Sequence, residues 1–296
     1  MIDVFGALIT FCGAFCWALA SIFYRKALSR ATNPFIANII RIPLAFLVLT
    51  TIALLDGKIS EALIIITTVK TLLYLVLATF VMNIVGDTLY LLAIRNVGVA
   101  IGYPLAYMYP VFVAILATII LAEPLRMNLL LGTIIAVTGV WLLSSKKQEV
   151  AITTGYSFSI GVLAGIGAAL AFSFGIILFR IMLIETDPIA TAIIKLIILF
   201  VMTSPIFWLR QEEVKASIDK RTLLIGMIGG VFGIGIGDWF FYIGLARIGA
   251  GSAAAITTSS PMLSLFLAVI LLKEKVGSWQ VIGTVLIVIG ILLTLI

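Results

Sequence analysis

The chain has 296 residues, 63% of them hydrophobic and 11% charged, with a net charge of +6 and a mean hydropathy of +1.29. A soluble domain carries roughly a quarter charged residues, so this composition excludes a water-soluble enzyme and makes the lipid bilayer the solvent. The cations are scattered through short loops, which fits a positive-inside bias better than a nucleic-acid surface, and no nucleic-acid partner is expected.

Uniformly apolar runs near the ~20 residues that span a hydrocarbon core predict helices, not barrel strands. They fall at roughly 4–24, 35–55, 71–94, 98–121, 127–144, 157–180, 188–208, 222–245, 251–271 and 278–295. The first lacks a preceding basic stretch and reads as a helix, not a cleaved signal. Trp17 lies on it, and Cys12, Cys16 and Ala20 share a face that suits a helix contact. The second carries Arg41, and the third Gly86-Asp87. The fourth carries Tyr103 and Tyr107 on one face, then Pro110, and ends at Glu123 beside Pro124. A polar link at 144–156 separates the fifth helix from the sixth, which holds a Gly161/Gly165 step. Lys195 lies in the seventh helix. The eighth shows Gly226, Gly230, Gly233 and Gly237 on one face, followed by Asp238, Trp239 and Tyr242. The ninth places Thr257, Thr258, Ser259 and Ser260 before Pro261 and ends at Glu274.

The second half repeats the first. Shifted by 151 positions, residues 71–145 fall on 222–296 without a gap. Gly86-Asp87 meets Gly237-Asp238, Pro110 meets Pro261, Glu123 meets Glu274, and Gly132 and Gly139 meet Gly283 and Gly290. The front of each half aligns at 155 and then 154, bringing Arg25 onto Arg180 and Arg41 onto Lys195. The expected organisation is all-α and membrane-integral: ten transmembrane helices in two inverted five-helix repeats, 1–148 and 149–296. Five helices per copy force the second copy to enter the membrane upside down, the plan by which many secondary transporters build a central site.

These motifs resemble the EamA type of the drug/metabolite transporter superfamily over the whole chain. The resemblance rests on Gly13 to Ser21 with its tryptophan, on Tyr90 to Ile94 and Tyr242 to Leu245, and on each proline-bearing, Glu-ended fourth helix. The glycines of each last helix complete it. It implies a ten-helix carrier, often an exporter, of small polar metabolites such as amino acids. Asp87 and Asp238 depart from the general family pattern.

Four ionisable residues lie well inside the predicted spans: Arg41, Asp87, Lys195 and Asp238. Each costs roughly 2.5–3.5 kcal/mol at the bilayer centre unless paired or wet. Arg41 lies about 10 Å in from the start of its helix and Asp87 about 10 Å back from the end of its own, on the same side; Lys195 and Asp238 repeat this near the other face. The expectation is two depth-matched pairs, Arg41–Asp87 and Lys195–Asp238, which either neutralise buried charge or line a substrate and coupling pathway. Trp17, Tyr103, Tyr107, Trp239, Tyr242, Thr258 and Ser259 are the remaining candidate lining residues, each also able to serve helix or lipid packing. Glu123 and Glu274 are expected to cap the N-terminus of the helix that follows each in sequence.

The absence of histidine, of a phosphate-binding Gly-rich loop and of protease or hydrolase motifs leaves no catalytic residues, cofactor or metal expected. A secondary transporter in the cell membrane, working on a small-molecule substrate by alternating access, is the leading reading. A polytopic intramembrane enzyme or a channel-like subunit is the alternative. Loops after odd-numbered helices hold more Lys and Arg than the others, which taken alone places both termini outside. Either a monomer or a homodimer is compatible with the internal duplication.

Overall fold

In lipid the backbone must satisfy its own polar groups, and this apolar sequence does so with helices alone. The computed structural model describes residues 3–27, 34–144, 157–209, 219–273 and 276–296, and no strand occurs among them. The first helix is Val4–Ala27 and the second Pro34–Leu55. The third runs as one apolar span from Val69 to Val97. The fourth comprises Val99–Ala106 and Tyr109–Leu121, and the fifth is Met127–Ser144. The second copy follows with Phe158–Met182, Pro188–Leu209, the span Lys220–Ile248, the broken pair Ala250–Thr257 and Ser259–Leu272, and Ser278–Thr294. Eight of these are long and apolar enough to cross a membrane by themselves. The second qualifies with its bent continuation, and the tenth is an apolar helix of 17 residues.

One element was not anticipated. Ile59–Thr67 is a short helix, turned 111° from the second helix at Gly57, whose φ of 70° permits the corner. It buries Ala62 and Ile65 and exposes Leu63, Ile64 and Ile66, an amphipathic split too short for a span.

The fifth and tenth helices cross on glycine. A Cβ on Gly132 would lie 2.5 Å from the Gly290 carbonyl oxygen, and one on Gly139 2.6 Å from that of Gly283. The pairing runs in opposite directions along the two helices, so they are antiparallel, as inverted repeats require. The repeats also interlock, since the first helix packs along the eighth and the sixth along the third. On the first helix the contact is made at Gly13, Trp17, Ala20 and Tyr24; Cys16 is buried, whereas Cys12 is exposed.

The main core draws on both halves, from Leu49, Leu75 and Val113 to Phe179, Leu196 and Phe241. Outward, Leu47, Leu73, Ile119, Leu163 and Val201 face lipid. Trp141, Trp208 and Trp279 are exposed near helix ends at the face opposite the chain termini, where an aromatic belt sits.

Candidate functional site

The third and eighth helices break α-geometry at the same place. Phe80–Gly86 and Val231–Gly237 are seven-residue π-helical segments, each followed at once by an aspartate, Asp87 and Asp238. Such segments inside α-helices recur at functional sites. The glycines that close them are seats for rings from the other repeat. A Cβ on Gly86 would come within 2.6 Å of the Phe172 ring, and one on Gly237 within 2.6 Å of the Trp17 ring. Trp17 and Phe172 are themselves equivalent residues of the first and sixth helices, so the arrangement occurs twice.

In the second copy it is sealed. Lys195 Nζ donates to Asp238 Oδ2, and Trp17 Nε1 donates to Asp238 Oδ1 at 2.8 Å. Lys195 is 1% exposed and Asp238 9%. Two buried charges thus neutralise each other, and an indole fills the remaining oxygen, which is the condition under which a buried pair is tolerated.

In the first copy the equivalent positions are occupied differently. The Arg41 backbone is pressed onto Gly230, where a Cβ would lie 2.0 Å from the Arg41 carbonyl oxygen. From there the guanidinium carbon reaches 5.0 Å above the Tyr24 ring. Tyr24 is itself held by donating its hydroxyl to the Gly229 carbonyl at 2.9 Å. Arg41 Nε is buried without a hydrogen-bond partner, and so is Asn83 Oδ1 in the adjacent π segment. Asp87 is half-buried and engaged within the protein, and both it and Arg41 act electrostatically on Tyr24.

An aromatic wall extends from this centre. Tyr103 stacks on Tyr107 at 4.3 Å between ring centroids. Tyr90 lies 6.3 Å from Tyr103 and 6.4 Å from Phe172, and Tyr109 lies 5.8 Å from Tyr107. Tyr90, Tyr103, Tyr107 and Phe172 are each surrounded by helices yet keep part of their surface accessible.

The other candidates are placed as follows. Trp239 is half-buried beside Phe240, at 5.3 Å. Tyr242 is 2% exposed and stacked on Phe179 at 4.8 Å, inside the packed core. Thr258 and Ser259 are fully buried where the ninth helix breaks and donate to Ala255 and Ile256 carbonyls at 2.7 Å each. The fourth helix breaks at the equivalent point. Pro110 and Pro261 cause both interruptions, because each removes an N–H and clashes with the preceding turn. Tyr109 and Thr257 hydrogen-bond across the two breaks. The residues that sequence reasoning passed over are Tyr24, Asn83, Tyr90, Tyr109 and Phe172. Two left a trace: Tyr90 lies three residues beyond Asp87, on its face, and Phe172 aligns with Trp17 at the 155 offset.

Glu123 caps a helix, but not the one expected. Its carboxylate accepts from Ala250 N at 2.9 and 3.0 Å and from Gly251 N at 3.3 Å, at the start of the ninth helix. Arg180 Nε donates to the same carboxylate at 3.4 Å. Gly249, with φ 82°, brings the ninth helix close enough that a Cβ there would lie 2.9 Å from the carboxylate. Ala122, left-handed with φ 53°, turns Glu123 away from the fifth helix. Glu274 lies outside the described residues.

The EamA-like transporter family profile matches residues 4–145 and 159–296. An uncharacterized transporter of Archaeoglobus fulgidus is 27% identical over 293 residues, covering 97% of each chain. The uncharacterized transporter YwfM of Bacillus subtilis strain 168 is 24% identical over 205 residues, covering 69% of this chain and 67% of its own. A protein known from its crystal structure shares the fold with a TM-score of 0.79 at 16% identity, over 98% of this chain and 96% of the other. The chain belongs to the EamA-like transporter family, within the drug/metabolite transporter superfamily, and is a multi-pass membrane transporter.

Proposed function

We propose that this member of the EamA-like transporter family is a secondary carrier in the cell membrane that exports small polar or amphipathic metabolites, the class to which amino acids belong. It works by alternating access between its two inverted repeats. The observation that carries this reading is the doubled π-segment, Gly-Asp and ring constellation at the repeat interface, one copy with both aspartate oxygens taken and one with Arg41 Nε unpartnered. A site at the seam between inverted repeats is reached from either side by rocking one repeat against the other. Broken fourth and ninth helices, joined by Tyr109 and Thr257, support the same reading, since such interruptions line cavities in transporters.

Counterflow in proteoliposomes tests it. Vesicles loaded with unlabelled metabolite are expected to accumulate labelled metabolite transiently above equilibrium, and Asp238→Asn to abolish this. Flux that never overshoots and does not saturate would mark a channel and overturn the carrier.

A further inference from the structure

Among the charged groups inside the spans, those of the second copy are already answered. Lys195 and Trp17 take both oxygens of Asp238, and Asp87 is engaged within the protein. Among the described residues of the spans, no carboxylate is therefore without a partner to offer a substrate ammonium. A cation does have spare hydrogen-bonding capacity. Arg41 Nε is buried with nothing to donate to, and leaving a buried charged donor unmet costs more than leaving a neutral one. The guanidinium is not loose, because its backbone is fixed against Gly230 and its central carbon lies over a ring that is itself tied to Gly229.

The side of a guanidinium that presents Nε and one terminal nitrogen matches a carboxylate or phosphate edge through two parallel bonds. Asn83 has a second buried polar atom without a partner, its Oδ1, in the π segment before Asp87. Its equivalent in the sealed copy is Ile234, 7% exposed and without any polar atom to offer. Asp87 acts electrostatically both on Tyr24, beneath Arg41, and on Tyr90, so the same carboxylate borders the Arg41 centre and the aromatic surface of Tyr90, Tyr103 and Tyr107.

Resting on the carrier reading, we infer that the transported species is an organic anion whose acidic group binds Arg41 and whose apolar or aromatic body lies on the Tyr90–Tyr103–Tyr107 wall. Within the amphipathic class, the site selects the anion over the zwitterion and the cation.

Three ligands that share one phenylethyl body separate these possibilities: 3-phenylpropionate (carboxylate only), phenylalanine (both charges) and phenethylamine (ammonium only). Binding is measured by calorimetry and by thermal unfolding of the purified full-length chain in detergent. 3-Phenylpropionate is expected to bind at least tenfold more tightly than phenethylamine, with phenylalanine between them. Arg41→Gln is expected to weaken 3-phenylpropionate at least tenfold without affecting phenethylamine. Arg41→Lys keeps the charge and loses the fork, so an intermediate loss is expected, and it serves if Arg41→Gln does not fold. The inference is overturned if phenethylamine or phenylalanine binds best, if 3-phenylpropionate binds equally to both Arg41 variants, or if none of the three binds. Counterflow with a wider metabolite panel separates the two levels. Overshoot for a cationic or neutral solute keeps the carrier and removes the anion, whereas no overshoot for any solute removes the carrier itself.

Discussion

Lys195 and Arg41 stand at equivalent points of two inverted repeats, each repeat carrying an aspartate after a π-helical segment and a ring-seating glycine. Lys195 Nζ and both oxygens of Asp238 have partners, and both members of the pair are buried. Around Arg41 the ring that presses on the glycine is Phe172 in place of Trp17, Asn83 replaces Ile234, and a buried Nε is unmet. A duplicated fold can thus carry one charge centre as structure and keep the other for recognition. The chemical difference is a few atoms: an indole N–H, an amide and the second edge of a guanidinium.

Substitutions can break this contrast in graded steps. The largest effect is expected from Lys195→Met, which leaves Asp238 charged and buried. Breaking one side of such a pair costs about 3–5 kcal/mol, read as lost stability in detergent unfolding, and the double variant Lys195→Met/Asp238→Leu is expected to recover part of it. Arg41→Met is expected to cost clearly less, since Arg41 is only half-buried, and an equal loss at both positions would erase the difference between the two centres. Next is Trp17→Phe, which gives the sealed copy the kind of ring that the other has at Phe172. It removes a hydrogen bond to a charged carboxylate, worth about 1.5–3 kcal/mol by the same measurement.

Gly237→Ala is expected to cost about 1–3 kcal/mol by overpacking, because its Cβ would meet both the Phe232 carbonyl oxygen at 2.5 Å and the Trp17 ring. At Gly86 the two nearest atoms belong to the Phe172 side chain, so Gly86→Ala is expected to cost less; the reverse order would show the two seats to be unlike. The smallest effect is expected at Glu123→Ala, where a lost helix cap costs about 0.5–2 kcal/mol in thermal unfolding. Equal loss from Glu123→Gln would show that the negative charge, not the acceptor oxygens, matters at Gly249 and Ala250.

Sequence and structure agree where one residue's chemistry is enough to decide. Asp238 and Lys195 cannot be left bare in hydrocarbon, so equal depth was sufficient to join them. Agreement weakens where a neighbour decides. Glu123 caps the ninth helix and not the fifth, because Ala122 takes a left-handed turn and Gly249 brings a distant helix within reach. Tyr242, aligned in pattern with pathway aromatics, stacks into the core on Phe179. Thr258 and Ser259 spend their hydroxyls on the carbonyls of the helix break before them.

Taken alone, the sequence determined the solvent, the run of apolar helices and the inverted duplication, because hydrophobic length and periodicity are local properties that survive in one dimension. It also marked the four charges that lipid would make expensive. The tertiary structure decided the short corner helix after Gly57, the two π segments, and which of two equivalent cations is answered. These depend on how closely helices from opposite repeats approach at Gly86, Gly230 and Gly237. That distance is set by packing between segments far apart in the chain, and no local pattern encodes it.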